Sequence, residues 1–299
     1  MTDIRLSSPE EIPAQKRLWK TAFGDDDAFI DWFYDCRGPE AQVPVVLEDG
    51  AVVSMLTLLP HTLSLPDGGA ASARYVYALA TDPAARSKGY GRQLLRWTDT
   101  FLKEQGVDCL TIVPAEPSLF KFFATVDFTA SFSTRKLELL KDMLEPLADG
   151  DYAEPVEPAD YNAIRNRLLE GVPAVHYPEQ LIRLQQGMSA MSGGGLYRVV
   201  AGGAEGCAAA EYLEDGESVL FKELLLPPEQ MGRGLAALEK RLPGRRCHVR
   251  TPAGWEGMKG SYLQPFAMLK WYDPGKEARW RSEERRVGKE CRSRWSPYH

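Results

Sequence analysis

The sequence feature that most limits the possible folds is a cation-rich loop between a strand-like and a helix-like segment. The loop, PAARSKGYG, follows YVYALAT and precedes GRQLLRWTDTFL, whose leucines recur at helical spacing. Gly89 and Gly91 allow a tight turn with no Cβ in the way of a ligand. A helix that begins at such a turn presents unpaired N–H groups and a partial positive charge. With Arg86, Lys88 and Arg92 nearby, the stretch predicts an anion site, most simply for a pyrophosphate.

Two familiar phosphate-binding loops do not match this stretch. The Walker pattern G-x-x-x-x-G-K-[ST] is missing from the sequence. A dinucleotide fingerprint G-x-G-x-x-G needs a third glycine where the chain has Leu94, and the strands before the loop read as an antiparallel meander. A scaffold that binds ATP through the same loop stays open as an alternative.

Length and composition predict a mixed α/β protein of two domains. The 299 residues exceed one typical domain, and 44% hydrophobic residues suffice for real cores. The acidic, proline-rich stretch LEPLADGDYAEPVEPAD reads as a linker, so we expect domains at residues 1–145 and 150–280. Residues 281–299 switch abruptly to arginine-rich text without apolar periodicity, and we interpret them as a non-native tail rather than a native basic one.

The charge balance bears on the possible partners. The whole chain has a formal net charge of −6, and the body is more acidic still without its basic tail. An acidic body disfavours nucleic acid and suits a cationic, amine-bearing substrate. We find no leader-like or membrane-spanning run, and the five scattered cysteines form no CxxC pair, so we expect a cytoplasmic protein with no membrane association, disulfide scaffold or metal site.

The first half alternates helices and strands. Ser8 and Glu11 have capping-box spacing before a helix that ends at Gly24, and a second apolar-striped helix follows over DDAFIDWFYDCR. Strands separated by Asp49-Gly50 and by PDGG form the predicted meander. After the loop we expect a helix to about Gln105, a strand VDCLTIVPA, a helix EPSLFKFFATV and a strand around FTASFSTRKLEL.

Over residues 3 to 135 the sequence resembles the GNAT family of acetyl-CoA-dependent N-acyltransferases. RSKGYG fits the pattern R/Q-x-x-G-x-G/A, ATDP leads into it, two leucines follow it, and SLFKFFATVDF is similar to the family's FYxKxGF segment. The resemblance implies a GNAT fold and acetyl-CoA as co-substrate. It also implies that the pantetheine arm binds the main chain of Leu79, Ala80 and Thr81. The pyrophosphate would bind the loop residues Arg86, Ser87, Lys88, Gly89, Tyr90, Gly91 and Arg92.

The same resemblance exposes a departure at the acid that usually protonates the leaving thiolate. The family's tyrosine corresponds to Phe123, and its glycine to Asp127. Loss of a general acid typically lowers the rate about 10²- to 10⁴-fold, so activity is weakened but not excluded. As substitutes we name Tyr77, ahead of Tyr75 because it lies nearer the loop, and Glu116 as a base acting through water. For His61, His176, His248 and Cys109 we expect structural roles.

The second half reads as a degenerate repeat of the first. A meander over GLYRVVAGGAEGCAAAEYLEDGESVLFKELLL leads to PPEQMGRGLAALEKRLPG, which again joins a loop to a helix. Aligning Gly232 and Gly234 with Gly89 and Gly91 places Glu229 opposite Arg86, where a carboxylate would repel a pyrophosphate. The closing stretch QPFAMLKWYDP resembles the carboxyl ends of Eis-like two-domain acetyltransferases, in which the terminal carboxylate acts as a base.

These patterns together predict an N-acetyltransferase that moves acetyl from acetyl-CoA to a primary amine of a small molecule or peptide. We expect the degenerate second half to cover the acceptor cleft. A protein that binds or senses acyl-CoA with weakened catalysis is the alternative that Phe123 and Asp127 suggest.

Overall fold

The structure, a computed structural model, describes residues 1–281. The predicted non-native tail, residues 281–299, therefore lies outside the described residues except for Arg281. Among the described residues, no helix has both the length and the hydrophobicity needed to cross a membrane.

The described chain alternates helices and strands, as a mixed α/β fold requires. The helices are α1 (Ile12–Phe23), α2 (Asp27–Cys36), α3 (Tyr90–Glu104), α4 (Pro117–Ala124), α5 (Pro158–Leu168), α6 (Glu179–Met191) and α7 (Met231–Glu239), followed by helical residues 274–281. The strands are β1 (Thr2–Leu6), β2 (Pro44–Glu48), β3 (Ala51–Ser64), β4 (Ala70–Thr81), β5 (Cys109–Ile112), β6 (Thr129–Leu140), β7 (Tyr152–Pro155), β8 (Val175–His176), β9 (Gly195–Ala201), β10 (Ala204–Tyr212), β11 (Ser218–Leu225), β12 (Arg246–Pro252) and β13 (Tyr262–Trp271).

Local signals set the ends of the first helices as predicted. Ser8 and Glu11 form the capping box, and the Ser8 N–H donates to the Glu11 carboxylate at 2.8 Å. Gly24 ends α1 in the left-handed conformation at φ 79°. The Asp26 carboxylate then accepts the Phe29 N–H at 2.7 Å and starts α2. The predicted helices before the meander are confirmed.

Among the described residues, the first compact unit comprises 1–130, 171–176 and 268–281. Its strands lie in the order β1-β2-β3-β4-β5, with β1 to β4 antiparallel and β5 parallel to β4. Residues 268–271 of β13 pair antiparallel with β5, and β8 pairs with β3. The meander predicted before the loop is confirmed, and the unit draws two short segments from much later in the chain.

Both faces of this sheet are covered by helices. On one face, α3 and α4 pack through Leu94, Leu95 and Phe123 against strand residues that include Leu58 and Val76. Because side chains alternate along a strand, Tyr77 points to the other face, where its ring meets Trp19 of α1 and Phe33 of α2. The loop between β4 and α3 therefore begins at a sheet whose two faces are both covered by helices.

The second compact unit comprises residues 131–170 and 177–267. Its strands lie in the order β7-β9-β10-β11-β12-β6, with β11 parallel to β12 across α7. The order β7-β9-β10-β11-β12 repeats β1-β2-β3-β4-β5, with the same antiparallel and parallel pairings. The predicted second half of like fold is confirmed.

One interpretation of the sequence is wrong at the start of this unit. The stretch expected to be a linker contains β7, which pairs with β9. Asp151, just before it, is 8% exposed and accepts two hydrogen bonds from Arg233, at 2.7 and 2.8 Å. The acid-rich composition that suggested a solvated linker includes a carboxylate whose charge is neutralised in the fold.

Candidate active site

The site begins at an irregularity in β4. Met55 lies opposite Ala80 and Thr57 opposite Tyr77, so two residues, Ala78 and Leu79, face Leu56 alone. Ala78 adopts φ 51°, a conformation unusual for a residue with a side chain. This is a β-bulge, which turns the end of the strand away from its regular course. No sequence signal marked it, because alanine has no preference for this conformation.

Next to the bulge, β4 and β5 part from each other. Their parallel pairing runs from Ala73 opposite Cys109 to Val76 opposite Ile112, while β4 continues to Thr81. The main chain of Leu79, Ala80 and Thr81 therefore continues beyond the last residue pair with β5. On the β3 side the Ser54 hydroxyl bonds the Ala80 carbonyl at 2.8 Å and lies 2.9 Å from the Thr81 hydroxyl. The predicted pantetheine-binding residues thus line one side of an opening between two parallel strands.

The loop after β4 consists of a short turn and an extended piece. The Asp82 carboxylate accepts the Ala84 N–H at 2.8 Å and so fixes the 3-10 turn Pro83–Ala85. Arg86 is extended and exposed, and Ser87 adopts φ 66°. Gly89 adopts φ 80° and is the N-cap of α3. A left-handed N-cap is a conformation that glycine adopts without steric cost.

The first turn of α3 has no capping side chain. Gly89 offers none, and its carbonyl accepts the first helical bond from the Gln93 N–H at 3.0 Å. The N–H groups of Tyr90, Gly91 and Arg92 belong to the first turn, which has no intrahelical acceptors. Such a turn at the start of a 15-residue helix favours a bound anion.

The charged side chains of the loop are not equivalent. Lys88 donates to both carboxylate oxygens of Glu48, each at 2.9 Å, and the Tyr90 hydroxyl donates to Glu48 Oε1 at 2.5 Å. These bonds, led by that from Tyr90, lower the pKa of Glu48. Arg92 bonds the Thr125 hydroxyl at 2.9 Å, whereas Arg86 is exposed. Sequence reasoning missed Glu48, because it lies forty residues before the loop and only the sheet brings them together.

The two candidate catalytic residues lie on β4 and in the segment that follows β5, the parallel neighbour of β4. Tyr77 follows the last β4–β5 pair directly, and its ring stacks on Phe33 at 5.1 Å between centroids. Glu116 follows β5 as the exposed N-cap of α4 and accepts a hydrogen bond from the Ser118 hydroxyl. Both residues therefore come after the last β4–β5 pair in their respective segments, and their catalytic roles stay predictions.

The stretch from the last turn of α4 to residue 128 contains both departures from the family pattern. Phe123 is 4% exposed and packs edge-on against Phe128 at 5.8 Å, as part of the hydrophobic core. Asp127, in place of the usual glycine, keeps a left-handed backbone at φ 67°. Aspartate tolerates this conformation better than most residues. The backbone at residue 127 is thus left-handed although it is not a glycine. Phe123, which has no proton to donate, stands where the family pattern has a tyrosine.

His61 on β3 and Cys109 on β5 are core groups. His61 is 5% exposed, its Nε2 lies 3.3 Å from the Thr111 hydroxyl, and burial lowers its pKa to about 4. Cys109 is fully buried, and burial raises the pKa of its thiol far above the ordinary value. A neutral imidazole and a protonated thiol at neutral pH fit the structural roles expected for them.

The corresponding loop in the second unit is closed. The 3-10 turn Pro228–Gln230 runs directly into α7, whereas four residues separate the equivalent turn from α3. Gly232 is therefore the second residue of its helix and corresponds to Gly91, so the alignment of Gly232 with Gly89 is wrong by two residues. The Glu145 carboxylate lies against the position that a Cβ on Gly232 would take. The protein's own carboxylate thus stands at this helix start.

Comparisons with known proteins agree with this geometry. Residues 3–124 match the family model described as an acetyltransferase (GNAT) domain. A GCN5-related N-acetyltransferase from Anabaena variabilis has a TM-score of 0.72 at 14% identity, with 92% of this chain and 74% of that one covered. Eis1 from Mycobacterium abscessus scores 0.65 at 13% identity, with 91% and 74% covered. A tandem GNAT protein from the clavulanic acid biosynthesis pathway scores 0.56 at 14% identity, with 92% and 99% covered. No curated protein matches the sequence.

Fold and loop together define residues 3–124 as a GNAT domain. More particularly, the amino-terminal half carries a GNAT acetyltransferase domain, and the chain as a whole has the Eis-like, two-domain fold.

Proposed function

We propose that the protein is an N-acetyltransferase that moves acetyl from acetyl-CoA to a primary amine of a small molecule or peptide. The observation that carries the proposal is the uncapped start of α3, which follows the bulged β4 after the loop of residues 82–89, beyond the last pair of β4 with β5. In this proposal residues 1–145 bind the coenzyme, and residues 150–280 form the degenerate second domain. The protein acts in the cytoplasm, without nucleic acid or membrane.

The reaction is a direct attack within this opening. The neutral amine nitrogen forms a bond to the acetyl carbonyl carbon as the carbon–sulfur bond breaks, and coenzyme A leaves as a thiolate. The amine proton passes to Glu116 through water, and the thiolate takes a proton from Tyr77. Main-chain groups of Leu79, Ala80 and Thr81 hold the pantetheine arm, and the amides from Ser87 to Arg92 hold the pyrophosphate.

A thiol-release assay tests the proposal. The full chain is offered acetyl-CoA with a panel of polyamines, aminoglycosides and lysine peptides while free thiol is followed. We expect turnover with at least one amine. Arg86→Glu, which reverses an exposed charge in the loop, should weaken coenzyme binding in calorimetry, while Arg96→Glu, farther along the exposed side of α3, is the matched control. Equal coenzyme affinity in parent and Arg86→Glu would contradict the proposed site.

The second candidate is a protein that binds or senses acyl-CoA without efficient catalysis. The burial of Phe123 in the core favours it, because this segment supplies no phenol to the leaving thiolate. Tight coenzyme binding with no thiol release across the panel would support this candidate. The ATP-binding scaffold makes a different prediction, namely that ATP and not CoA raises the melting temperature of the protein.

A further inference from the structure

The carboxylate of Glu48 connects strand β2 to both sides of the loop glycine Gly89. Lys88 precedes that glycine and Tyr90 follows it, and both donate to Glu48 at 2.5 to 2.9 Å. Glu48 is held in turn by the β1–β2–β3 pairing, in which it faces Thr2 and Ala51. One side chain on the sheet therefore fixes the position of the residues that flank the start of α3.

Two opposite roles are compatible with this contact in principle. Glu48 could compete with a phosphate for Lys88, in which case its removal would tighten coenzyme binding. Alternatively, it could anchor the loop, in which case its removal would weaken binding. The two roles differ in the sign of a measurable effect.

The geometry favours the anchor. If Lys88 moved to a phosphate, the Glu48 carboxylate would lose its counter-ion and stand beside a second anion, which is unfavourable. Exchanging one ion pair for another at an exposed site also yields little free energy. The Tyr90 hydroxyl donates to the same carboxylate, so Glu48 would stay in place at the start of the helix.

We propose that Glu48 is the positioning residue of the coenzyme loop, and that Lys88 neutralises Glu48 rather than binding phosphate through its ammonium group. The phosphates are then bound by main-chain N–H groups whose positions Glu48 sets through Lys88 and Tyr90. This inference rests on the proposed binding of coenzyme A at the loop.

Calorimetry with CoA on four full-length variants tests the assignment. We expect Glu48→Ala to raise the Kd about three- to tenfold, in line with the loss of the contacts to Lys88 and Tyr90. Lys88→Ala should bind CoA more weakly than Glu48→Ala does, because it leaves the Glu48 carboxylate without a counter-ion near the phosphates. The double variant should return to the level of Glu48→Ala. Asp49→Asn, an equal charge change in the same turn, is the matched control and should bind like the parent.

Kinetics and hydrogen exchange separate positioning from general damage. Glu48→Ala should raise KM for acetyl-CoA and leave kcat unchanged, and Glu48→Gln, which keeps an acceptor for Tyr90, should recover part of the loss. Without coenzyme, the amides of residues 88–92 should exchange faster in Glu48→Ala than in the parent. The exchange measurement does not need coenzyme binding. It therefore still tests whether Glu48 positions the loop if the parent protein fails to bind CoA.

Three results would overturn the assignment. The first is CoA binding in Glu48→Ala that is as tight as in the parent or tighter. The second is CoA binding in the double variant that is weaker than in Lys88→Ala. The third is equal amide exchange of residues 88–92 in the parent and Glu48→Ala.

Discussion

The carboxylate of Glu145 lies against Gly232 in the first turn of α7, the place where the first half of the chain has the uncapped turn at Gly91. The same fold thus occurs twice in the chain. The start of α3 has no capping side chain, whereas the carboxylate of Glu145 lies at the start of α7. A pyrophosphate at α7 would meet Glu145 as a like charge.

One coenzyme per chain is therefore expected. Titration calorimetry with CoA should give a stoichiometry of one, and Arg86→Glu should weaken the single event rather than one of two. A variant Glu145→Ala should still bind one coenzyme, because α7 lacks the four-residue loop that precedes α3. A second binding event in either protein would contradict this.

The two loop glycines should respond differently to alanine. Gly89 has φ 80°, so Gly89→Ala should cost about 1 kcal/mol of unfolding free energy and weaken CoA binding. At Gly91 a Cβ would lie 3.6 Å from the Thr81 hydroxyl, an ordinary contact. Gly91→Ala should therefore keep the parent's stability, and chemical denaturation of the pair measures the difference. Equal losses at both positions would argue against the left-handed cap.

Substitution of the two strand tyrosines tests the proposed acid. Tyr77→Phe keeps the ring that stacks on Phe33 but removes the hydroxyl, so kcat should fall about 10²- to 10⁴-fold with KM for acetyl-CoA little changed. Tyr75→Phe, on the same strand with its ring 5.9 Å from that of Tyr77, is the control and should retain kcat. If both variants keep the parent's kcat, the acid lies elsewhere.

The free energy of unfolding should decrease as the pH falls, because of His61. Burial lowers its pKa from 6.5 to about 4, so the native state binds fewer protons than the unfolded state between these values. The contribution is fully present above about pH 6.5 and is lost as pH falls towards 4, by roughly 3 kcal/mol. Urea denaturation across this range measures the slope.

Two substitutions test whether His61 causes the pH dependence of the unfolding free energy. His61→Gln should flatten the dependence between pH 6.5 and 4. His248→Gln, at a partly exposed position on β12, is the control for the substitution itself. An unchanged slope in His61→Gln would show that other groups cause the acid sensitivity.

Sequence patterns predicted the parts of this fold that depend on local physics. Ser8, Glu11 and Gly24 mark helix ends by hydrogen bonds within a few residues, and the spacing of Leu94, Leu95 and Leu102 fixes the buried side of α3. The loop itself was predictable for the same reason, since its glycines and the helix start are adjacent in the chain.

What sequence patterns could not show depends on pairing between distant segments. The bulge at Ala78 exists because Leu56 of another strand faces two residues. Glu48 reaches the loop only through the order of the sheet, and Asp151 loses its solvated character only because Arg233 lies beside it. The alignment of Gly232 failed because a four-residue deletion is invisible in a short glycine pattern.

The pairing of β5 with residues 268–271 also has a consequence for synthesis on the ribosome. A nascent chain that has emerged only through the first half has β5 without its neighbour on one side, and it lacks the short strand that pairs with β3. The first unit is therefore complete only after residues 268–271 have been translated. Until then the open edge of β5 is a place where a chaperone, or another nascent chain, would attach.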